Sequence, residues 1–305
     1  MIDTDVTLSA DGYGAHFRSD LGATCYSLTG PGGEDILRAP ADERELKETP
    51  FLFGNPILFP PNRISGGSFV FEGRKYSFPV NERETGAHLH GELYRRSFRI
   101  EKPTSDSVSF VFSAEKGEYL GFPHTFETCR HYRLCADGLT EGTEICNHSG
   151  QNMPFMLAFH TTFRLQFDEG DISDYRLSLP VGREEMRDGK YLPTGAWKMP
   201  GSREFRLAKG EYIPDETISA FYESKGSRGR IFRIRSLKSV YYETDENYRY
   251  RMLWKRAHDP FVVIEPQTSA IDCFHLPEGS EKYGLMIIPP SKKICLRTLI
   301  GIEKI

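Results

Sequence analysis

The chain has 305 residues and carries 39 Lys and Arg against 43 Asp and Glu, for a formal net charge of −4. Charges of both signs are interspersed and no basic stripe forms, which argues against nucleic-acid binding, and no run of about 18 apolar residues offers a membrane span. Aromatic residues make up 12%, with 21 Phe and 15 Tyr against 2 Trp, a bias that suits β-structure.

In chain order, the opening Met1-Ile2-Asp3-Thr4-Asp5 lacks the basic start and apolar run of a signal peptide, so the expected location is the cytoplasm. Ala41 to Lys47 is a short, charged helix candidate. Ser68 to Phe71 and Tyr76 to Phe78, joined by Glu72-Gly73-Arg74-Lys75, read as a hairpin. Ser107 to Phe112 alternates polar and apolar residues, as a half-buried strand does. Thr125 to Leu134 is extended and turns at Asp137-Gly138 into Leu139 to Asn147; Ser149-Gly150 turns again before Met153 to Leu165. Ile213 to Glu223 is a partly amphipathic helix candidate. Further strands are expected at 229–234, 239–244, 248–254, 261–264, 284–288 and 293–299. Strand follows strand at the spacing of a sandwich, with no repeat or linker, so one all-β domain over residues 1–305 is expected. The cysteines (Cys25, Cys129, Cys135, Cys146, Cys273, Cys295) are scattered, with no close pair of zinc-ligand type, and read as buried thiols.

Three segments carry potential proton-transfer groups: His88-Leu89-His90-Gly91, Ala158-Phe159-His160-Thr161-Thr162-Phe163, and Ile264-Glu265-Pro266-Gln267-Thr268. On a strand, His88 and His90 would point to the same face, as a metal-binding pair does. That reading needs a carboxylate a few residues on, where Tyr94 and Arg95 stand. His160 follows an apolar run and has an imidazole able to give or take a proton near neutrality. Glu265 closes the run Phe261-Val262-Val263-Ile264; burial there would raise its pKa toward that of a general base. Arg63, in Asn62-Arg63-Ile64 after Phe59-Pro60-Pro61, offers a planar fork for hydroxyls or a carboxylate.

Taken in order, these segments resemble the aldose 1-epimerase (galactose mutarotase) family. The matching stretches are Gly54 to Pro60 with Asn62-Arg63-Ile64, Gly66 to Tyr76, Asn81 through Leu89-His90-Gly91, Asn147 to Pro154 leading into His160-Thr161-Thr162-Phe163, and Ile264 to Thr268. Phe59-Pro60 and Glu265-Pro266 look more like a divergent bacterial branch. The resemblance implies a large antiparallel β-sandwich with a sugar cleft, no cofactor and no metal, in a monomer or homodimer. It implies that Glu265 is the general base, His160 the general acid, and His90 and Arg63 substrate-binding residues. Glu92 stands where the family often has a second glycine, and Thr161 where Tyr or Pro is common. The family's substrate-binding aspartate has no evident counterpart, since Asp245 reads first as part of a hairpin turn.

The implied reaction interconverts the α and β anomers of a free hexose. Glu265 would take the C1 hydroxyl proton while His160 protonates the ring oxygen, with Glu265 governing the acid limb of the pH profile and His160 the alkaline limb. Phe163 or Trp254 could pack on a sugar face, though both read first as core residues. A hexose-6-phosphate epimerase of the same fold would need further cations, for which Arg95, Arg96 and Arg164 are candidates beside Arg63. A non-catalytic sugar-binding protein would keep the cleft without needing the acid–base pair.

Overall fold

A computed structural model of the chain describes residues 4–304. Two eight-stranded sheets dominate, and every strand pairing in them is antiparallel. One runs from Tyr175–Ser178 through Arg228–Arg233, Lys238–Thr244, Lys293–Lys304, Gly138–Asn147, Phe126–Cys135 and Ser107–Ala114 to Arg99–Glu101. The other runs from Pro193–Lys198 through Val181–Arg187, Ile218–Ser224, Tyr250–Lys255, Phe261–Gln267 and Ala158–Phe159 to Ile57–Leu58, with Thr161–Arg164 also paired to Phe261–Gln267. The all-β, antiparallel architecture expected from the sequence is the one observed.

Alternation explains the first sheet. Phe126–Cys135 buries every second side chain, and its register with Gly138–Asn147 pairs Cys135 with Gly138 across the Asp137 turn. The inward rows meet the second sheet in an aromatic core, where Phe163 packs on Tyr242 at 5.3 Å and Thr161 Oγ1 donates to Tyr242 Oη at 3.0 Å.

A buried polar network also ties the first sheet to the segments around Gly22 and Asn55. Arg130 Nε donates to Glu141 at 2.7 Å, and its Nη groups donate to the carbonyls of Gly22 and Asn55. Asn55 completes it by donating to Glu141 at 2.8 Å and accepting from Cys25 N. This arrangement accounts for the Gly54-Asn55-Pro56 stretch. Gly54 sits at φ +63°, where a Cβ would lie 2.1 Å from the Cys25 carbonyl oxygen, so any other residue would force the strand away. Leu52 and Asn62, on either side of the segment held this way, line the cleft described below.

Several elements differ from expectation. Met153 to Leu165 is three short strands instead of one: Met153–Phe155, Ala158–Phe159 and Thr161–Arg164. Ile213 to Glu223 is no helix; it supplies strand Ile218–Ser224, whose residues Ile218, Ala220, Phe221 and Tyr222 are buried between neighbouring strands. Tertiary pairing overrides the weak helical periodicity there. A helix instead forms at Ser202–Lys209, where Glu204 accepts from Gly201 N at 2.8 Å and Gly210 closes the C-terminus at φ +70°. The first helix, Glu43–Glu48, lies close to its expected place and is capped by Asp42. All six cysteines are free, but only Cys25 and Cys273 are buried and Cys295 is exposed. Among the described residues no helix is long and apolar enough to cross a membrane.

Candidate active site

Glu265 lies inside a central strand and not at a strand end, since Phe261–Gln267 continues past Pro266. On its far side Met252 is its partner in the register with Tyr250–Lys255. On its near side the pairs Ala158↔Gln267 and Thr161↔Ile264 share one register, which sets His160 directly opposite Glu265. Opposed residues of antiparallel strands project to the same face about 5 Å apart. The side chains meet with His160 Nε2 3.5 Å from Glu265 Oε1. His160 occupies the break between the two short strands, and its own N–H donates to the Pro56 carbonyl at 3.0 Å.

His90 arrives from elsewhere. The short strand Ala87–Leu89 pairs with Arg63–Ser65, then ends as His90 and Gly91 both turn left-handed, at φ +67° and +60°. The His90 N–H donates to the Asn62 carbonyl, and a Cβ on Gly91 would lie 1.9 Å from the Phe59 carbonyl oxygen. Only glycine permits this approach. The turn sets the His90 ring edge-on to that of His160 at 5.7 Å, with Phe51 packed against both rings. His88 does not share this face, contrary to the strand-based expectation. Its ring packs on Phe78 and its Nδ1 contacts the Pro79 carbonyl at 2.8 Å. The physical reason is the left-handed turn, which ends the alternation at Leu89, so the two imidazoles do not converge on one point.

The three groups line a cleft of about 460 Å³. Arg63 lines it too, held by a two-pronged ion pair to Glu82 with both N–O distances at 2.7 Å, and its guanidinium lies 4.9 Å from the centre of the Tyr191 ring. Trp254 faces the cleft, whereas Phe163 belongs to the core. Arg95, Arg96 and Arg164 stay outside it: Arg96 pairs with Glu92 and Arg164 with Asp35. Asp245 is a turn residue, accepting from the backbone N–H groups of Asn247 and Arg297.

Burial sets the electrostatics. Glu265 is only 3% exposed, and loss of water pushes its carboxyl up to about 8, against the hydrogen bond from Gln267 and the positive charges of Arg63 and Arg187. The same effect pushes His160 down to about 4, against nearby backbone carbonyls, and holds His90 well below its ordinary value. Between about pH 4 and pH 8 the His160–Glu265 pair therefore holds one proton, which rests on the carboxyl when the cleft is empty. These shifts run opposite to the sequence-based expectation, in which Glu265 gives up its proton at a lower pH than His160.

The family model described as "Aldose 1-epimerase" matches residues 4–282. The chain belongs to the aldose 1-epimerase family. It is 25% identical over 217 residues to human galactose mutarotase, an alignment covering 68% of this chain and 61% of that enzyme. It is 23% identical over 242 residues to YphB, an uncharacterised protein of Escherichia coli K12, covering 75% and 78% of the two chains. Among solved structures, a galactose mutarotase-like protein from Clostridium acetobutylicum superposes with a TM-score of 0.92 at 26% identity, covering 99% of this chain and 95% of that one. A putative aldose 1-epimerase from Escherichia coli K12 superposes with a TM-score of 0.82 at 19% identity over 99% of both chains.

Sequence reading missed several residues that line the cleft or hold its side chains in place. Gln267 lies within the Glu265 segment, and its Nε2 donates to Glu265 Oε2 at 3.0 Å; alternation from Glu265 would have found it. Glu82, which orients Arg63, lies in the stretch from Asn81 to Gly91. Arg187, Tyr191 and Arg256 carry no local motif, and only the fold brings them to the cleft.

Proposed function

We propose that this protein is an aldose mutarotase that opens and recloses the hemiacetal ring of a hexose, with Glu265 and His160 exchanging protons with the sugar and His90 and Arg63 binding it. The observation that carries the reading is the placement of His160 opposite Glu265, Nε2 to Oε1 3.5 Å, on the floor of a sugar-sized cleft.

The proton balance needs no further reagent. Ring opening begins with Glu265 ionised and His160 protonated. Glu265 takes the C1 hydroxyl proton, His160 gives its proton to O5, and the C1–O5 bond breaks to leave a free aldehyde. The pair is then in its other form, carboxyl protonated and imidazole neutral, which is the form burial favours in the empty cleft. Rotation about C1–C2 presents the opposite carbonyl face. His160 then removes the O5 proton as O5 attacks C1, and Glu265 returns a proton to the new C1 hydroxyl. Sugar hydroxyls entering the cleft replace lost solvation and bring the two forms closer in energy. Each positioned proton-transfer group contributes about 10²–10⁴-fold in rate.

The test is anomer exchange followed by NMR with glucose, galactose and their 6-phosphates. Exchange well above the buffer rate is expected, lost in His160→Ala and Glu265→Gln while sugar binding persists. Binding without any accelerated exchange in the wild-type protein would replace this reading with that of a sugar-binding protein.

A further inference from the structure

Three arginines line the cleft, Arg63, Arg187 and Arg256, and among the described residues Glu265 is the one carboxylate that lines it. Two of the three are already neutralised. Arg63 is paired to Glu82, and Arg256 to Asp259 with Nε 3.1 Å from Oδ2. Arg187 is different. Its Nη2 donates to the backbone carbonyl and, at 3.3 Å, to the hydroxyl of Ser219, and among the described residues no carboxylate forms an ion pair with it.

The nearest candidate to neutralise Arg187 fails to do so. Glu185, two residues earlier on the same strand, is 2% exposed and has no hydrogen-bond partner on either oxygen among the described residues. Burial pushes its carboxyl up to about 8, against the pull of Arg187, so at neutral pH it is largely uncharged. Burial also pushes Arg187 down. A partly desolvated guanidinium with no counter-charge is costly, and its unfilled donors are suited to a bidentate oxyanion.

Its position fits one end of a bound sugar. Ser219 pairs with Trp254, and Trp254 with Val263, so the Arg187 guanidinium sits two strands across the sheet from the Glu265 strand, about 10 Å at ordinary strand spacing. A hexose laid along the cleft with C1 at Glu265 would bring its far end toward Arg187, where Trp254 and Arg256 also line the cleft. We infer that the substrate is an anionic hexose, carrying a phosphate or carboxylate at its C6 end that Arg187 binds and Arg256 assists from the rim. This inference rests on the mutarotase reading and specifies its substrate.

Exchange NMR with glucose, glucose 6-phosphate and glucuronate supplies the test, with calorimetric binding of the same three sugars alongside. The expected result is kcat/KM for glucose 6-phosphate, glucuronate or both at least about tenfold above that for glucose, with the preference shrinking as salt is raised. In Arg187→Met the ratio of anionic to neutral kcat/KM should fall about 10- to 100-fold, while Arg187→Lys retains part of it. The phosphate and carboxylate arms identify the oxyanion. Thermal melting confirms that each variant is folded; should Arg187→Met fail to fold, the Lys variant and the salt dependence decide. Glucose handled as well as both anionic sugars, or an unchanged ratio in folded Arg187→Met, overturns the inference and leaves the mutarotase reading intact. Absence of exchange with every sugar overturns the mutarotase reading instead; calorimetry then decides the anion site, which is refuted if neither anionic sugar binds in an Arg187-dependent way.

Discussion

Replacing Glu265 with Gln separates what burial does to this carboxyl from everything else in the cleft. In the unfolded chain Glu265 releases its proton near 4.5, whereas the folded protein holds it until about 8. Between those values the folded state binds more protons, so the carboxyl's contribution to stability, fully present below 4.5, is lost as pH rises toward 8. His160 acts in the opposite sense over a different window. The unfolded imidazole takes up a proton below 6.5 and the folded one only near 4, so stability falls as pH drops from 6.5 to about 4. The two slopes cancel between about 4.5 and 6.5, and above 6.5 Glu265 acts alone. At about 1.4 kcal/mol per pH unit, Glu265 removes about 2 kcal/mol between pH 6.5 and 8. Glutamine cannot ionise, has almost the same volume, and its side-chain carbonyl can still accept from Gln267 Nε2. The stability of Glu265→Gln relative to wild type should therefore rise by about 4 kcal/mol from pH 5 to pH 8, most of the effect of a fully buried carboxyl. Urea unfolding followed by tryptophan fluorescence at several pH values measures it, and taking the difference cancels the titration of groups remote from Glu265. A difference that stays constant from pH 5 to pH 9 would falsify the claim that the folded protein holds Glu265 protonated at neutrality.

The same proton governs rate. With one proton shared by His160 and Glu265, kcat/KM should be level from about pH 4 to about pH 8 and fall about tenfold per pH unit above that, once both groups are deprotonated. Polarimetry corrected for the buffer reaction measures it, and a catalysed rate still climbing at pH 9 excludes the pair from catalysis. Glu82→Gln removes the charged anchor of Arg63, worth about 1.5–3 kcal/mol for charge-assisted bonds. KM should rise roughly tenfold with kcat little changed, and kcat falling while KM holds would mean that Arg63 acts on the transition state and not on binding.

The sheet-forming pattern is legible in the chain, because alternation is local: the hairpin from Phe126–Cys135 into Gly138–Asn147 needs only its own residues and its turn. The sequence also supplied the residue types at the site, since Leu89-His90-Gly91 and Ile264-Glu265-Pro266 are contiguous segments. What it left open depends on contacts between distant segments. The shared register that sets His160 against Glu265 joins strands about a hundred residues apart in sequence. The face taken by His90 follows from a left-handed turn that alternation does not anticipate, and the strand at Ile218–Ser224 follows from its neighbours. Arg187 and Arg256 lie in segments with no motif, and their meaning comes from where two strands and a turn carry them. Burial, which moves Glu265 up and His160 down, belongs to no segment. Each carboxyl and imidazole has the same intrinsic affinity for a proton in the unfolded chain, and only the packed sheets remove the water that would otherwise keep it there.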